Sequence, residues 1–513
     1  MAVAACSSDA GVTQQAVRPT GTEAPEPTEA TEPEPATTTT TTEAPASTGP
    51  TTTEAPVFEP APIEWQEFSP GVEVGTIEVP VDYDDLDGPA FELFVARHNA
   101  TDPDNRIGTL LVNRGGPGFG STDFAIFADQ IYDEELLEKF DIVGWDPRGT
   151  GQSAPAIDCI TDYDQFFATP DITPDDDAER EQGVAVAAEF AGECERNNAE
   201  IIQHVGTNDA ARDIDVIRRA LGEDQVSFFG FSYGSELGGT WATMFPDTVR
   251  AAVLDGAADP NADRTEWSVQ QTAGFESTLT TFLAQCSADA SCVFHNDGNA
   301  EGAFDALMAS LDATPIPSVP GRPDVNRGVA TSAVVQAMYS ETYWPALEQA
   351  LADAQRGDGS GLLALYDSYY QRNPDGTYGN ELEAFQTITC ADSAERLSVE
   401  EEDANAALLT AVAPRLAPAG LGGNYMCTFF PESLDPRIHI TGDGAGPIVV
   451  VGTTGDAATP LDSTRKMVEA LDEAVLVVVD ADQHTGYNAN QCINEVVSRY
   501  LVDLQVPANE TTC

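Results

Sequence analysis

Apolar positions recur along the chain with two periods, and the change from one period to the other predicts the elements. Little apolar pattern is present before residue 62, and order is expected from about Trp65. Residues 72–83 and 91–98 alternate apolar with polar positions, the mark of strands with one solvated face. The runs 109–113 and 141–145 are short and continuously apolar, as in strands covered on both faces. Apolar residues at helical spacing follow at 208–221, with Ile214, Ile217 and Leu221 facing inward. The apolar run from Val226 breaks at Gly230-Phe231-Ser232-Tyr233-Gly234 and continues into small, helix-compatible residues, which reads as a strand, a sharp turn and a helix. A further strand is expected at 251–254. From about 261 to 440 the pattern is helical, for example at 275–284, 302–311 and 331–356. Strands return at 447–452 and 474–479, with helices at 461–471 and 491–504.

Strands separated by helices at this spacing predict an α/β fold with a mostly parallel sheet and helices on both faces. The helical block reads as a large cap inserted after the sixth strand. The expected organisation is a first part of the core at 63–260, the cap at 261–440 and the remainder of the core at 441–513. Residues 154–206 interrupt the rhythm as an excursion containing one helix.

Charge narrows the partners. The 513 residues carry a formal charge of -63, and residues 1–60 contribute only nine acids and Arg18, so nearly all of it lies on the folded part. Such a field repels nucleic acid and anionic lipid head groups and suits a strongly solvated surface. A monomer is the favoured state.

Val3-Ala4-Ala5-Cys6 resembles a bacterial lipobox, which makes residues 1–6 a candidate signal remnant and Cys6 a candidate acylation site. The match is incomplete, because only five residues precede Cys6, without the basic n-region and the longer apolar h-region of a signal. Residues 7–62 are rich in Thr, Pro, Glu and Ala, and such a segment reads as a disordered tether that lifts a domain off a surface. Membrane contact is expected only through a lipid on Cys6, with the folded part extracellular or at the cell envelope.

Nine cysteines are present and no CxxC pair, which argues against a zinc ribbon or a thioredoxin-type site. Without Cys6 they number eight, and an exported, disulfide-bonded protein is the natural reading. Counting does not choose among their pairings. Proximity along the chain suggests Cys159 with Cys194, Cys286 with Cys292, Cys390 with Cys427 and Cys492 with Cys513.

The G-x-S-x-G segment offers the chemistry. Its turn exposes the Ser232 hydroxyl at a helix N-terminus. The glycine-dense loop Arg114-Gly115-Gly116-Pro117-Gly118-Phe119-Gly120 follows a strand, lacks the G-K-[ST] ending of a phosphate loop, and fits an oxyanion loop. The N–H groups of Tyr233 and Gly116 are the expected oxyanion donors, with Gly115 as the alternative second donor. Asp146 and Arg148 are expected to brace these loops.

A serine nucleophile needs a histidine to take its proton and a carboxylate to orient that histidine. Of the five histidines, only His484 lies just past the last expected strand; His98, His204, His295 and His439 read as surface or packing residues. Asp456 follows the strand at 447–452, where the sheet's carboxyl edge would present it to His484. Asp480 and Asp482 are runners-up that read as loop caps. Neither a metal nor a cofactor is required.

Six motifs occur in order: Arg-Gly-Gly-Pro-Gly (114–118), Trp-Asp-Pro-Arg-Gly-Thr-Gly-Gln-Ser (145–153), Gly-Phe-Ser-Tyr-Gly-Ser (230–235), Val-Leu-Asp-Gly-Ala-Ala-Asp-Pro (253–260), Ile-Thr-Cys-Ala-Asp (388–392) and Gly-Asp-Ala-Ala-Thr-Pro (455–460). Over roughly 65–513 the chain thereby resembles the secreted tripeptidyl aminopeptidase-like α/β-hydrolases of actinobacteria, relatives of proline iminopeptidase. The resemblance implies the triad Ser232, Asp456 and His484, peptide substrates, and a cap that closes over the substrate's N-terminus. Gln483 replaces the glycine usual before the histidine, and Ser235 stands where threonine is common; neither removes a catalytic group.

The expected reaction is acyl transfer to Ser232 in an exopeptidase releasing short peptides, tripeptides by the resemblance. A carboxylesterase would use the same triad, whereas a catalytically silent binding protein would usually have lost one of its members. A substrate ammonium would need a carboxylate, for which the cap offers Asp263, Glu266, Glu276, Glu341, Glu381, Glu383 and Asp392.

Overall fold

The computed structural model describes residues 57–174, 176–418 and 423–513. Cys6 and the expected tether before residue 57 lie outside the described residues. The strands are β1 Gln66–Ser69, β2 Val72–Pro80, β3 Ala90–His98, β4 Gly108–Asn113, β5 Phe140–Trp145, β6 Val226–Phe231, β7 Val249–Asp255, β8 Ile448–Thr453, β9 Ala474–Val479 and β10 Thr511–Thr512. They form one sheet in the order β1-β2-β3-β5-β4-β6-β7-β8-β9-β10. The pairs β1/β2, β2/β3 and β3/β5 are antiparallel, and every later neighbour is parallel.

Two of these strands were invisible to apolar periodicity. The first, Gln-Glu-Phe-Ser, is exposed along most of its length and is held by backbone pairing at the sheet edge. The last is two residues long, and the Cys492–Cys513 disulfide and a bond from Cys513 N–H to Val478 O hold it beside β9. Because β1 precedes the strands that could be read, the helical insertion follows the seventh strand of the chain and not the sixth.

Alternation along the buried strands sorts their side chains to two faces. Leu111, Val143, Phe228, Leu254 and Val450 pack with Ile214, Ile217, Leu237 and Trp241, from the helices Thr207–Ala220 and Tyr233–Met244. Leu110, Val112, Ile142, Phe229, Val253 and Val449 face the other way, against Phe124, Leu136, Ile493 and Val497. Both faces are thus covered, as a parallel sheet requires.

The cap is built from Arg264–Ala288, Ala300–Ala313, Arg327–Met338, Trp344–Ala354, Ser360–Tyr369, Glu381–Asp392 and Val399–Val412. The pattern over 331–356, which reads as one helix, is two. Pro345 has no N–H to continue the ladder and instead enters at the first turn of the second helix. The break leaves Tyr339 and Ser340 at the core, where they meet the loop after β9. The excursion after β5 carries the helix Asp177–Asn197, capped by the Asp176 carboxylate and tied at its far end by Cys159–Cys194. The other disulfides are Cys286–Cys292, Cys390–Cys427 and Cys492–Cys513, the same four pairs that proximity suggests.

Candidate active site

Three strand ends and one loop build the site. At the end of β6, Ser232 has φ 55° and ψ -126°, a conformation that costs a non-glycine residue about 1–3 kcal/mol unless its surroundings enforce it. Its surroundings do so. Ser232 N–H donates to Asp255 O at 2.8 Å, and Ser232 O accepts from Ser235 N–H at 2.8 Å and from Ser235 Oγ at 2.5 Å. Ser235 therefore supplies the hydroxyl that a threonine would. Glycine flanks the turn because backbone passes on both sides: a Cβ on Gly230 would strike the Gly234 carbonyl, and one on Gly234 would lie 2.6 Å from Asn113 O.

The loop after β4 approaches the turn just as closely. Gly115 has φ +98°, and a Cβ there would collide with the Phe231 carbonyl and sit 2.9 Å from Ser232 Cβ. Gly115 N–H is already engaged by Asn113 Oδ1 at 3.0 Å, which removes it as a free donor. Gly116 lines the same cleft as Ser232 and Tyr233. Tyr233 opens the elbow helix, so its N–H belongs to the first-turn donors that have no acceptor inside the helix. With Gly115 engaged elsewhere, Tyr233 and Gly116, which both line the cleft, remain the candidate donors.

Asp456 follows β8 and His484 follows β9. Nδ1 of His484 lies 2.9 Å from both carboxylate oxygens of Asp456. The carboxylate also accepts N–H bonds from Ala458 at 2.9 Å, Thr459 at 2.8 Å and Thr485 at 3.2 Å, and the Thr459 hydroxyl at 3.1 Å. Four donors besides the imidazole hold it in place, so a carboxylate that is only 4% exposed keeps its hydrogen bonds. His484 Nε2 is buried and has no hydrogen-bond partner among the described residues, which leaves it available to a proton donor. The ring edge lies over Gly256, where a Cβ would come within 3.2 Å of His484 Cε1. Gly256 adjoins Asp255, whose carbonyl holds Ser232.

The cap grips this loop. His484 N–H donates to Tyr339 O at 2.8 Å, the Tyr339 ring meets the imidazole edge-on at 5.6 Å, and Ser340 forms an antiparallel bridge with Gln483. Thr453 Oγ1 also donates to Gln483 O at 2.6 Å, so the residue in place of the usual glycine is held from both sides. Asp480 bonds Thr454 Oγ1 at 3.0 Å and not the histidine. His295 Nδ1 lies 2.9 Å from Cys286 O, away from the site, while His439 lines the cleft. Asp146 accepts from Thr122 and from Gln152 N–H, and Arg148 reaches Asp213 at 2.6 and 2.8 Å together with three backbone carbonyls. Both side chains are fully engaged in bracing loops.

The cleft over Ser232 has a volume of about 360 Å³, with Trp267, Gln271, Tyr339 and Phe385 among its cap walls. Four carboxylates line it, Glu236, Asp263, Asp392 and Glu395, against two guanidinium groups, Arg264 and Arg437. Arg437 pairs with Glu236 at 2.6 Å and Arg264 with Glu402, so both cations are already matched. Asp392 accepts from Thr207 N–H and Oγ1, each at 2.6 Å, and burial pushes its carboxyl up to about 6. Of the other cap acids, Glu276 is spent on Arg415 and Leu416 N–H, and Glu383 on Cys159 and Ile160 N–H. Glu266 closes a capping box with Asp263, and Glu341 is exposed. Glu381 does not line the cleft. Glu236 was missed in the sequence; it stands in the first turn of the helix that Ser232 caps, and its partner Arg437 comes from a distant segment that no local pattern connects to it.

Residues 108–487 match the family model described as alpha/beta hydrolase fold. The chain is 34% identical over 483 residues to the "Serine protease Hip1" of Mycobacterium tuberculosis, covering 88% of this chain and 91% of that one. It is 36% identical over 455 residues to the same organism's "Carboxylesterase B", with 85% of each covered. A "Tripeptidyl aminopeptidase" of Streptomyces lividans is 29% identical over 478 residues, covering 89% of this chain and 86% of that one. With the strand order, the elbow and these relatives together, the chain belongs to the α/β-hydrolase family, as one of its serine hydrolases.

Proposed function

We propose that the protein is an exported serine exopeptidase that releases short peptides, tripeptides foremost, from the free N-terminus of peptide substrates. Ser232 Oγ attacks the scissile carbonyl while His484 Nε2 takes its proton, and Asp456 fixes the tautomer at Nδ1 and stabilises the imidazolium. The N–H groups of Tyr233 and Gly116 receive the oxyanion, each donor contributing about 3 kcal/mol to the transition state. His484 then protonates the leaving amine, and water repeats the sequence in reverse to free the acyl group.

The observation that carries the reading is a capped cleft over Ser232 whose unmatched charges are negative. A substrate ammonium is welcome there, while a buried anion would be repelled. The relative named tripeptidyl aminopeptidase supports release of three residues. Four disulfides support export, since such bonds persist in oxidising compartments.

A second reading, ester hydrolysis by the same residues, is favoured by the relative named carboxylesterase. Mass analysis of the products of an unblocked hexapeptide separates the two. The N-terminal tripeptide should appear first; an uncut peptide together with rapid cleavage of a short-chain aryl ester would establish the esterase instead.

A further inference from the structure

Asp255 is the last residue of β7, fully buried, and none of the steps above uses it. Its backbone carbonyl accepts Ser232 N–H at 2.8 Å. Its carboxylate accepts Gly486 N–H on Oδ1 and Tyr487 N–H on Oδ2, both at 2.7 Å. Those two residues follow His484 directly after Thr485. One residue therefore bonds the serine elbow through its main chain and the histidine loop through its side chain. It does so from a rigid frame, paired in register with Phe231 on one side and Val451 on the other.

We propose that Asp255 is a positioning residue for the reaction, setting the His484 loop against the Ser232 elbow and placing a second carboxylate beside the imidazole. The inference rests on reading Ser232, His484 and Asp456 as the catalytic set. Two features separate it from an ordinary loop brace. Both oxygens are used, each by a backbone donor, and only a carboxylate or a group with two acceptor oxygens does this; asparagine would turn an amide toward one of the N–H groups. The placement is also costly. Asp456 and His484, from the loops after β8 and β9, are the charged groups that face it, and burial pushes the Asp255 carboxyl up to about 7 while the His484 charge acts in the opposite direction. A neutral hydroxyl or carbonyl would hold the loop without that cost. What a carboxylate adds is attraction for the imidazolium as the Ser232 proton arrives.

The test is the rate at which the full chain reacts with a fluorophosphonate. Serine Oγ displaces fluoride from phosphorus, and the serine proton passes by way of the histidine to solvent. Wild type, Ser232→Ala and Asp255→Asn are followed by mass spectrometry across pH. Wild type is expected to be modified at Ser232, and Ser232→Ala to remain unmodified. Asp255→Asn is expected to react more slowly by about tenfold or more, with the acid limb of its rate profile moved to lower pH. Modification of wild type at another residue overturns the catalytic set itself. Labelling of Ser232 in Asp255→Asn at the wild-type rate, or slowing with the acid limb unmoved, overturns the role of Asp255 and leaves the set intact. If Asp255→Asn lacks the wild-type circular dichroism, Asp255→Glu decides, because it keeps the charge and displaces the oxygens. A wild-type acid limb with about tenfold slower labelling supports the proposal, and wild-type labelling overturns it.

Discussion

Ser232 separates two tasks that most residues combine. Its backbone, at φ 55°, is part of the frame, while its hydroxyl supports no described hydrogen bond of the fold. Ser232→Ala is therefore expected to retain the wild-type melting temperature within a degree or two and to lose about a thousandfold or more in kcat/KM. Steady-state assay and thermal denaturation of the same preparation check both halves. Ser232, Asp456 and His484, the proposed set, could be singled out in the sequence because each follows a strand end, where a short apolar run stops at a polar turn. Glu236, Tyr339 and the double attachment of Asp255 could not. Their roles come from segments that are distant in sequence, such as Tyr339 from the cap meeting His484 from the core. The cap acids teach the same point. Asp392 and Glu383 look alike in composition, but one lines the cleft and the other is consumed by two N–H groups of the excursion.

Among the elements, the loop after β4 has the least room to vary. An alanine at Gly115 would bring its Cβ against the Phe231 carbonyl and into a backbone conformation that side chains resist. Gly115→Ala should lower kcat by about tenfold or more, as expected when an oxyanion donor moves off its line, and should change KM little. A KM increase with unchanged kcat would assign this loop to substrate binding instead. Strands buried on both faces were readable, because each is a short apolar run between turn signals. Edge strands were not, because β1 and β10 depend on backbone pairing and a disulfide. The break between the helices Arg327–Met338 and Trp344–Ala354 was also hidden, since apolar residues continue through it. Only Pro345 marks it.

The whole molecule carries its negative charge unevenly between solvent and interior. Burial pushes Asp146 and Asp392 up to about 6 and Asp255 and Glu383 up to about 7. The folded chain therefore holds protons at these sites that the unfolded chain, with ordinary carboxyl groups, has released. Between about pH 4 and pH 7 the folded state binds more protons, so stability rises as pH falls through that window. Relief of repulsion among the many surface acids acts in the same direction. Glu73, held below the ordinary carboxyl range by its hydrogen bond to Arg97, acts oppositely and loses its contribution as it protonates at still lower pH. The melting temperature is expected to be higher at pH 5 than at pH 8 and to fall again below about pH 4; a steady decline from pH 8 to pH 5 would mean that the buried carboxyls are matched by bases.

The same excess of negative charge around the cleft is the basis for assigning a free N-terminus to the substrate. The ratio of kcat/KM for a tripeptidyl amide and for its N-acetyl derivative tests that claim most directly. Acetylation removes the ammonium charge, adds a small acetyl group and leaves the scissile bond untouched. The free-amine substrate should be preferred by about tenfold or more, equivalent to about 1.4 kcal/mol of transition-state binding, and equal turnover of the two would contradict the aminopeptidase assignment.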